Sequence, residues 1–236
     1  MKRQFAFIFI TFFVLTGINA KVHTYSLKFD EFHELKVVDG INVVYECNPS
    51  KAGCIEYEAD DRVSSAVIFS PGKGKLSISL ASRDSVYRNL PTVRVYSSFL
   101  SEVKNEGDST VKVINPAPCP KFSAKLVGNG TLVVHGINAT EVKAEQVAGR
   151  GCIVLTGSAT LAKLSILGTG CIQADELKAR EVSAKVTGTG SVACYPTESL
   201  STGGIGSGTI SYRGNPEIKK SFISKVKLVA LDVQQH

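Results

Sequence analysis

The chain has 236 residues, with 27 Lys and Arg, 21 Asp and Glu, and a formal net charge of +6 at pH 7. Basic and acidic residues are interspersed, which is typical of a solvated surface and argues against a nucleic-acid interface. Tryptophan is absent and Met1 is the only methionine, so any core must be built from Val, Ile, Leu, Ala and Phe.

Residues 1–20 have the pattern of a secretory signal peptide. Lys2 and Arg3 form the positive end, an apolar stretch runs from Phe5 to Leu15, and small residues lead to a cleavage point after Ala20. The apolar stretch has about eleven residues, fewer than the roughly 20 that a membrane-spanning helix needs. We therefore expect an exported protein without a transmembrane segment, located in the periplasm, outside the cell or at the cell surface.

Residues 21–115 are predicted to form the N-terminal, β-rich part of the domain. Apolar and polar residues alternate in them as in β-strands, and turn signals such as Asp39-Gly40 separate the segments. Residues 60–69 carry apolar side chains at helical spacing and indicate a short helical or irregular crossover. The alternating segments are residues 35–38, 41–45, 55–59 and 76–80.

Six cysteines in an exported chain permit disulfides, because oxidising compartments allow them to persist. Cys47 and Cys54 bracket a turn-rich hexapeptide between two alternating segments. This pattern predicts a hairpin closed by a Cys47–Cys54 disulfide, with free thiols as the alternative. No cysteine has the CxxC or CxxH spacing of a zinc site, so we expect no metal.

Residues 116–236 are predicted to form a repeat region that ends in a capping strand. Pairs of glycines separated by one residue recur in it about every twenty residues, which indicates a repeat architecture. We interpret these glycines, together with Gly40, as structural turns that require φ > 0 rather than as anion-binding sites. The pairs are Gly128 and Gly130, Gly149 and Gly151, Gly168 and Gly170, Gly188 and Gly190, and Gly206 and Gly208.

Two apolar columns keep a fixed phase relative to the glycine pairs. A period of two within each strand, repeated about every twenty residues, predicts an all-β fold, a mainly parallel β-solenoid whose inward residues stack between coils. An antiparallel meander closed into a barrel or sandwich is the alternative. The first column is Leu132, Ile153, Ile172, Val192 and Ile210, and the second is Val142, Leu164, Val182, Leu200 and Ile218.

Cys152 and Cys171 directly follow two consecutive glycine pairs, so they should lie side by side on adjacent coils. A strand spacing of about 4.8 Å is compatible with the Cα separations of roughly 4.4–6.8 Å found in disulfides. The alternatives are an inter-coil disulfide and two small unpaired residues. Cys194 falls in an inward phase and is expected in the core.

No motif identifies a catalytic or cofactor site. Gly72-Lys73-Gly74-Lys75 lacks the spacing of a phosphate-binding loop, and Gly204-Ile205-Gly206-Ser207-Gly208 does not match a nucleophile elbow. Six carboxylates near the second apolar column are interspersed with lysines and an arginine, which favours ordinary surface pairing over an active site. We expect no catalytic residue, no cofactor and no bound calcium.

Three motifs resemble the auto-transporter adhesin head GIN domain family. The naming tripeptide stands at Gly40-Ile41-Asn42, the glycine pairs look like recurring Gly-Ser-Gly-Asp turns, and residues 212–216 resemble a closing Tyr-x-Gly-x-Pro segment. The resemblance spans residues 29–218 and implies an exported, bacterial β-helical head domain of adhesin type. The chain departs from the family after the second glycine, where Asp is frequent. It has instead Thr131, Cys152, Cys171, Ser191 and Thr209.

These observations favour a non-catalytic binding or surface-interaction module. A glycan or a cell-surface protein are the partners considered, and nucleic acid is not expected. The alternatives are a polysaccharide-active β-helix enzyme, whose carboxylates would converge in a groove with an arginine, and a structural envelope protein. An exposed face rich in Ser, Thr, Asn and Lys would favour the first interpretation.

Overall fold

The computed structural model describes residues 22–81, 90–221 and 224–231. The predicted signal peptide, residues 1–20, lies outside these ranges. A 3-10 helix at Pro49–Lys51 and a four-residue helix, α1 (Asp61–Ser64), interrupt a mainly β-structure. The strands are β1 (His23–Lys28), β2 (Glu34–Val38), β3 (Asn42–Cys47), β4 (Cys54–Ala59), β5 (Val67–Gly72), β6 (Lys75–Leu80), β7 (Thr92–Ser97), β8 (Glu102–Glu106), β9 (Thr110–Ile114), β10 (Cys119–Val127), β11 (Thr131–Val147), β12 (Cys152–Gly168), β13 (Cys171–Gly188), β14 (Ser191–Ile205), β15 (Thr209–Tyr212), β16 (Glu217–Lys220) and β17 (Lys227–Ala230).

From β10 onward the chain coils through about six turns, roughly 20 residues apart, so the predicted β-solenoid is confirmed. Parallel pairing joins each turn to the next and produces two long faces, which we call sheet A and sheet B. Strands β11 to β14 each begin in sheet B, bend where the pairing register shifts, and continue in sheet A. The glycine pairs lie at the opposite corner, where the chain returns from sheet A to sheet B.

The N-terminal part extends the same two sheets, but its rungs do not follow the order of the chain. Sheet A continues in the order β10, β8, β2, β6, and sheet B in the order β11, β9, β3, β7. The rung formed by β2 and β3 is therefore inserted between the β6–β7 rung and the β8–β9 rung. Parallel pairing of β8 with β10 and of β9 with β11 connects both parts of the domain into one stack.

Antiparallel strands close the N-terminal end of the stack. Strand β5 pairs with β6 in sheet A, while β4 pairs with β7 and then β1 with β4 in sheet B. The β4–β7 pairing covers only Ile55 with Val95 and Glu56 with Arg94, so the two strands separate beyond that point. This separation creates a depression that is described below.

The predicted Cys47–Cys54 disulfide is wrong, because both side chains are free thiols. Strand β7 lies between β3 and β4, so the two cysteines are not on neighbouring strands of a hairpin. Two strand spacings amount to about 10 Å, beyond the Cα separation that a disulfide can bridge. The Cys47 thiol lies instead 3.3 Å from the Ser98 carbonyl oxygen, and the Cys54 Sγ lies 3.6 Å from Lys28 Nζ.

The first apolar column forms a continuous core between the sheets. Its five residues are in register on successive strands, and none is more than 1% exposed. Burial of each such side chain contributes about 1.5–3 kcal/mol, which one isolated coil could not gain. Cys194 is also inward, and burial raises the pKa of its thiol to about 12.

The second apolar column is in register except at one position. Ala162, and not Leu164, pairs with Val142 and Val182, while Leu164 lies one inward position further along and pairs with Ala144 and Ala184. Both residues remain buried, whereas Ile218 at the C-terminal end of the column is 41% exposed, so the predicted inward position is wrong there. The difference arises because the number of residues per coil varies along the stack. Counting eighteen residues back from Val182 reaches Leu164, whereas the residue that pairs with Val182 is Ala162.

The two glycines of each pair are required for different reasons. The first adopts a positive φ, as in Gly168 at 126° and Gly188 at 124°. The second has no such φ, but a Cβ on Gly190 would lie 2.7 Å from the carbonyl oxygen of Gly170 in the preceding coil. Close approach of stacked corners therefore excludes side chains there. At Gly40 nothing lies within 4 Å of an added Cβ, and the positive φ of that turn falls on Asp39.

Candidate functional site

The outer face of sheet B, which we call the ladder face, carries two columns of side chains in register. The first column consists mainly of small, hydrogen-bonding side chains, and the second mixes polar side chains with four valines and an alanine. Strand neighbours lie about 4.8 Å apart, so the columns repeat at that interval along the stack. The first column is Thr92, Asn42, Thr110, Thr131, Cys152, Cys171, Ser191, Thr209 and Lys227. The second column is Arg94, Val44, Lys112, Val133, Val154, Gln173, Ala193, Ser211 and Val229.

The charges within the two columns of the ladder face have one sign. Its two columns contain the cations Arg94, Lys112 and Lys227 and no carboxylate, as their sequences show. Carboxylates lie beside the columns, namely Glu46 on the outer side of β3, Glu58 on β4, and Asp175 and Glu176 at the bend within β13. The exposed columns therefore offer hydrogen-bond donors and hydroxyls, with positive charge concentrated at Arg94 and Lys112.

Cys152 and Cys171 lie in the first column and form the inter-coil disulfide that the spacing suggested. They are direct partners in the β12–β13 ladder, and their Cα atoms are 4.6 Å apart. The bond connects two successive coils at the middle of the ladder face. Its role is therefore structural, since it holds the neighbouring columns in register.

Two adjoining depressions lie on the N-terminal half of the ladder face. The first, of about 450 Å³, opens where β4 and β7 separate, and Arg94, Thr92 and Glu58 line it. The second, of about 270 Å³, is lined by Asn42, Thr92, Thr110 and Lys112, so Thr92 belongs to both. The Asn42 side-chain oxygen accepts a hydrogen bond from the Thr110 backbone N–H at 2.9 Å, which leaves the amide nitrogen of Asn42 as a donor.

Glu56, on the wall of the first depression, already has hydrogen-bond partners. Its carboxylate accepts hydrogen bonds from Lys51 Nζ at 3.0 and 3.3 Å and from the Tyr96 hydroxyl at 3.1 Å. The Lys51 ammonium also lies 4.7 Å from the centre of the Tyr96 ring. Glu56 is therefore neutralised within the protein, whereas Arg94 across the strand has no carboxylate within ion-pair distance among the described residues.

A third depression, of about 430 Å³, lies where the ladder face meets the bend of the long strands. His135, Thr156, Asp175 and Glu176 are among the residues that line it. Asp175 forms an ion pair with Arg213 at 2.8 Å, and His135 Nδ1 lies 3.4 Å from the Thr156 hydroxyl. Two carboxylates, an arginine and a histidine thus meet here, which sequence analysis had not brought together.

The outer face of sheet A differs from the ladder face because its charges are paired. Lys121 and Lys163 flank Glu141 on adjacent coils, and Lys125 and Lys143 flank Glu145. A hydrogen bond from Lys163 holds the pKa of Glu141 below its ordinary value, and one from Lys143 does the same for Glu145. These carboxylates are engaged within the protein, so they offer little unpaired negative charge to a partner.

Aromatic residues pack at the N-terminal end of the stack. Tyr25 and Tyr57 stack with ring centres 5.1 Å apart, and Phe69 lies 5.6 Å from Tyr57. Tyr25, Leu27 and Tyr57 also line a mainly apolar depression of about 220 Å³ beside α1. This depression is the smallest of the four and shares Thr24 and Tyr57 with the first depression.

Half of the ladder face follows from the sequence, and half was missed. The phase of the glycine pairs places Thr131, Cys152, Cys171, Ser191 and Thr209 together, as their strand register now shows. Asn42, Thr92 and Thr110 were missed because they follow no glycine pair. A common signal existed, since each precedes a Val-x-Val or Val-Val segment that begins a strand.

Two further observations concern the described part of the chain. No group of three or more His, Cys, Asp or Glu side chains in it is placed to hold a metal ion. None of its helices is long and apolar enough to cross a membrane. The depressions and the ladder face are therefore the features on which a function can be argued.

Solved structures of similar fold come from Bacteroides and Parabacteroides species. A crystal structure described as a putative adhesin from Bacteroides fragilis is 21% identical, with a TM-score of 0.79 over 90% of this chain and 98% of that one. A putative lipid binding protein from Parabacteroides distasonis is 19% identical, with a TM-score of 0.71 over 91% and 98%. A putative adhesin from Parabacteroides merdae is 23% identical, with a TM-score of 0.66 over 91% and 98%.

None of the curated proteins matches this chain. The family described as "Putative auto-transporter adhesin, head GIN domain" matches residues 31–216, which include nearly all strands of the stack. The match agrees with the resemblance at Gly40-Ile41-Asn42 and the glycine corners. The chain belongs to the auto-transporter adhesin head GIN domain family.

Proposed function

We propose that this protein is exported and acts as a non-catalytic, adhesin-like module that binds an extended partner along the ladder face. The observation that carries the proposal is the arrangement of that face. Hydroxyl and amide groups repeat there at the strand spacing, and three of the four depressions lie along the same side of the stack. A long, shallow surface of this kind suits a glycan or a surface protein better than a small molecule.

The rigid fold supports this proposal. Stacked coils and the Cys152–Cys171 disulfide hold the ladder face in one geometry before a partner arrives. A preorganised surface loses less conformational entropy on binding, so many weak hydrogen bonds can add to useful affinity. Adhesin and lipid-binding descriptions of the structural neighbours are consistent with a binding role.

The test is a binding screen of the mature chain, residues 21–236, against glycans, bacterial and host surface proteins, and lipid vesicles. Ser191→Trp places a bulky uncharged side chain on the ladder face and should weaken binding of a partner that extends along it. Ser201→Trp is the matched control, because Ser201 is also an exposed serine and lies on the outer face of sheet A in the same coil. Equal loss of binding in both variants would place the binding surface elsewhere, and so would unchanged binding in both.

A polysaccharide-active enzyme is the second candidate, because of the depression that holds Asp175, Glu176 and His135 beside Arg213. General acid–base cleavage of a glycan requires two carboxyl groups at such a site. The screen should therefore include an assay for released reducing ends. If the Glu176→Gln and Asp175→Asn variants still release reducing ends, this depression is not the catalytic site. If both variants abolish that release, the enzyme is favoured.

A further inference from the structure

We propose that the N-terminal half of the ladder face binds an anionic polysaccharide, whose carboxylate or sulfate groups contact Arg94 and Lys112. This inference rests on the proposed binding role of the ladder face and names the chemical class of its ligand. It depends on the register of three strands and on the hydrogen-bonding state of the residues around the two cations.

The spacing of the two cations suits an extended anionic polymer. Arg94, Val44 and Lys112 are direct partners on β7, β3 and β9, so Arg94 and Lys112 lie two strand spacings apart, about 10 Å. Both side chains are exposed on the same face. A polymer that carries one acidic group in every second sugar can reach both cations, whereas a compact anion can reach only one.

The two cations form no ion pair within the described part of the chain. Neither Arg94 nor Lys112 forms an ion pair with a described residue, whereas the lysines that flank Glu141 and Glu145 on sheet A do. An exposed guanidinium or ammonium forms its strongest hydrogen bonds with carboxylate, sulfate or phosphate oxygens. The two cations are therefore available to an external anion.

The surface between the two cations combines hydroxyl and amide groups with an apolar side chain. Val44 separates them, and Thr92, Thr110 and the donor nitrogen of Asn42 lie beside it in the adjoining depressions. Hydroxyl and amide groups can contact sugar hydroxyls, while the apolar Val44 can contact the carbon face of a ring. The mixture suits a charged sugar polymer better than an anionic lipid surface.

Two nearby carboxylates oppose the ligand. Glu46 is exposed on the outer side of β3, two residues from Val44. Glu58 is exposed on the β4 wall of the first depression and faces the same opening as Arg94. Its negative charge should weaken the binding of an anionic chain. Glu58→Gln is therefore expected to raise the affinity for an anionic ligand and to leave the affinity for a neutral ligand unchanged.

The experiment measures binding of the mature chain to polygalacturonate and to dextran sulfate, with neutral dextran as the comparison, by calorimetry at low and high salt. Both acidic polymers carry the proposed chemistry, and the two arms distinguish carboxylate from sulfate. The Arg94→Ala/Lys112→Ala variant should bind about 100-fold more weakly, roughly tenfold for each charge-assisted hydrogen bond lost. Salt should also weaken binding by the wild type.

The control variant is Lys73→Ala/Lys185→Ala, which removes the same charge from exposed positions away from the ladder face. It should bind like the wild type, and unchanged melting temperatures should establish that all variants fold. Acidic polymers that bind the Arg94/Lys112 variant as well as the wild type would overturn the inference. Equal binding of dextran would overturn it but leave the proposed binding role intact. Failure of every glycan, acidic or neutral, overturns the inference, and the binding role then depends on the protein and lipid arms of the screen.

Discussion

Alanine substitutions in the glycine corners should separate two physical causes for the glycine repeat. Gly168→Ala tests backbone conformation alone, because Gly168 has φ 126° and its added Cβ would lie 3.6 Å or more from other atoms. Gly190→Ala tests close approach alone, because the Cβ would lie 2.7 Å from the Gly170 carbonyl oxygen and from Ile166 Cγ2. Gly188→Ala combines both, with φ 124° and a contact of 2.3 Å to the Gly168 carbonyl oxygen.

The expected losses follow from these geometries. A residue forced into a sparsely populated φ costs about 1–3 kcal/mol, and an overpacked methyl costs about 1–3 kcal/mol. Gly168→Ala and Gly190→Ala should each lower the unfolding free energy within that range. Gly188→Ala should lose roughly 2–6 kcal/mol, since both costs apply. For a chain of this length, each kcal/mol lowers the melting temperature by about 2–4 °C.

Gly40→Ala is the matched control, because it has no positive φ and no atom within 4 Å of the added Cβ. A glycine replaced without strain stabilises a protein by about 0.4–1 kcal/mol, through the unfolded state. Thermal unfolding followed by circular dichroism measures all four variants. The reasoning is refuted if Gly190→Ala and Gly188→Ala melt within 2 °C of Gly40→Ala, roughly the shift expected from 1 kcal/mol.

Three further predictions concern the disulfide, the paired carboxylates and the core. Cys152→Ser/Cys171→Ser should lower the unfolding free energy by about 3 kcal/mol, since the bond closes a loop of 19 residues, and denaturation in urea with and without reductant measures this. Glu141→Gln/Glu145→Gln should reduce the loss of stability in acid. The folded pKa of each carboxyl is lowered. The contribution of each carboxylate to the unfolding free energy is therefore present above the unfolded pKa of about 4.3 and is lost as pH falls through the folded pKa. Urea titrations between pH 7 and 3 measure the difference between the variant and the wild type. Ile153→Ala should cost about 2–5 kcal/mol, because the side chain is fully buried, and the shift of the urea midpoint measures it.

Each of these predictions has a control or a contrary outcome. Cys47→Ser/Cys54→Ser should leave stability unchanged under oxidising conditions, and a peptide map that recovers Cys47 linked to Cys54 would contradict the strand order. Val154→Ala, on the outer side of the same strand, should cost much less than Ile153→Ala. An acid transition unaltered by the Glu141 and Glu145 variants would mean that their lysine contacts do not persist in solution.

The repeat region could be predicted because every coil repeats the same physical demands. A corner that approaches its neighbour needs glycine, and a column that faces the core needs an apolar residue at period two. The phase of these two signals predicts that Thr131, Cys152 and Ser191 lie on one face. Leu164 was misplaced because a bend can absorb one or two residues without changing the pattern on either side.

The N-terminal part could not be predicted to the same depth, since strand patterns do not state which strands pair. Loop composition suggested that the segments around Cys47 and Cys54 pair as a hairpin, but long-range pairing with β7 prevails. Arg94 and Lys112 become neighbours in one column only through the insertion of the β2–β3 rung between two later rungs. Local sequence carries no signal for that insertion, so this half of the ladder face required the structure.

The most direct test of the ladder face as the binding surface is an NMR titration of the isotope-labelled mature chain with the tightest ligand from the binding screen. Backbone amide shifts should change along β7, β3, β9 and the first residues of β11 to β14, with little change in the sheet A segments of the same strands. Changes confined to sheet A, or to the aromatic cluster of Tyr25 and Tyr57, would contradict binding through the ladder face.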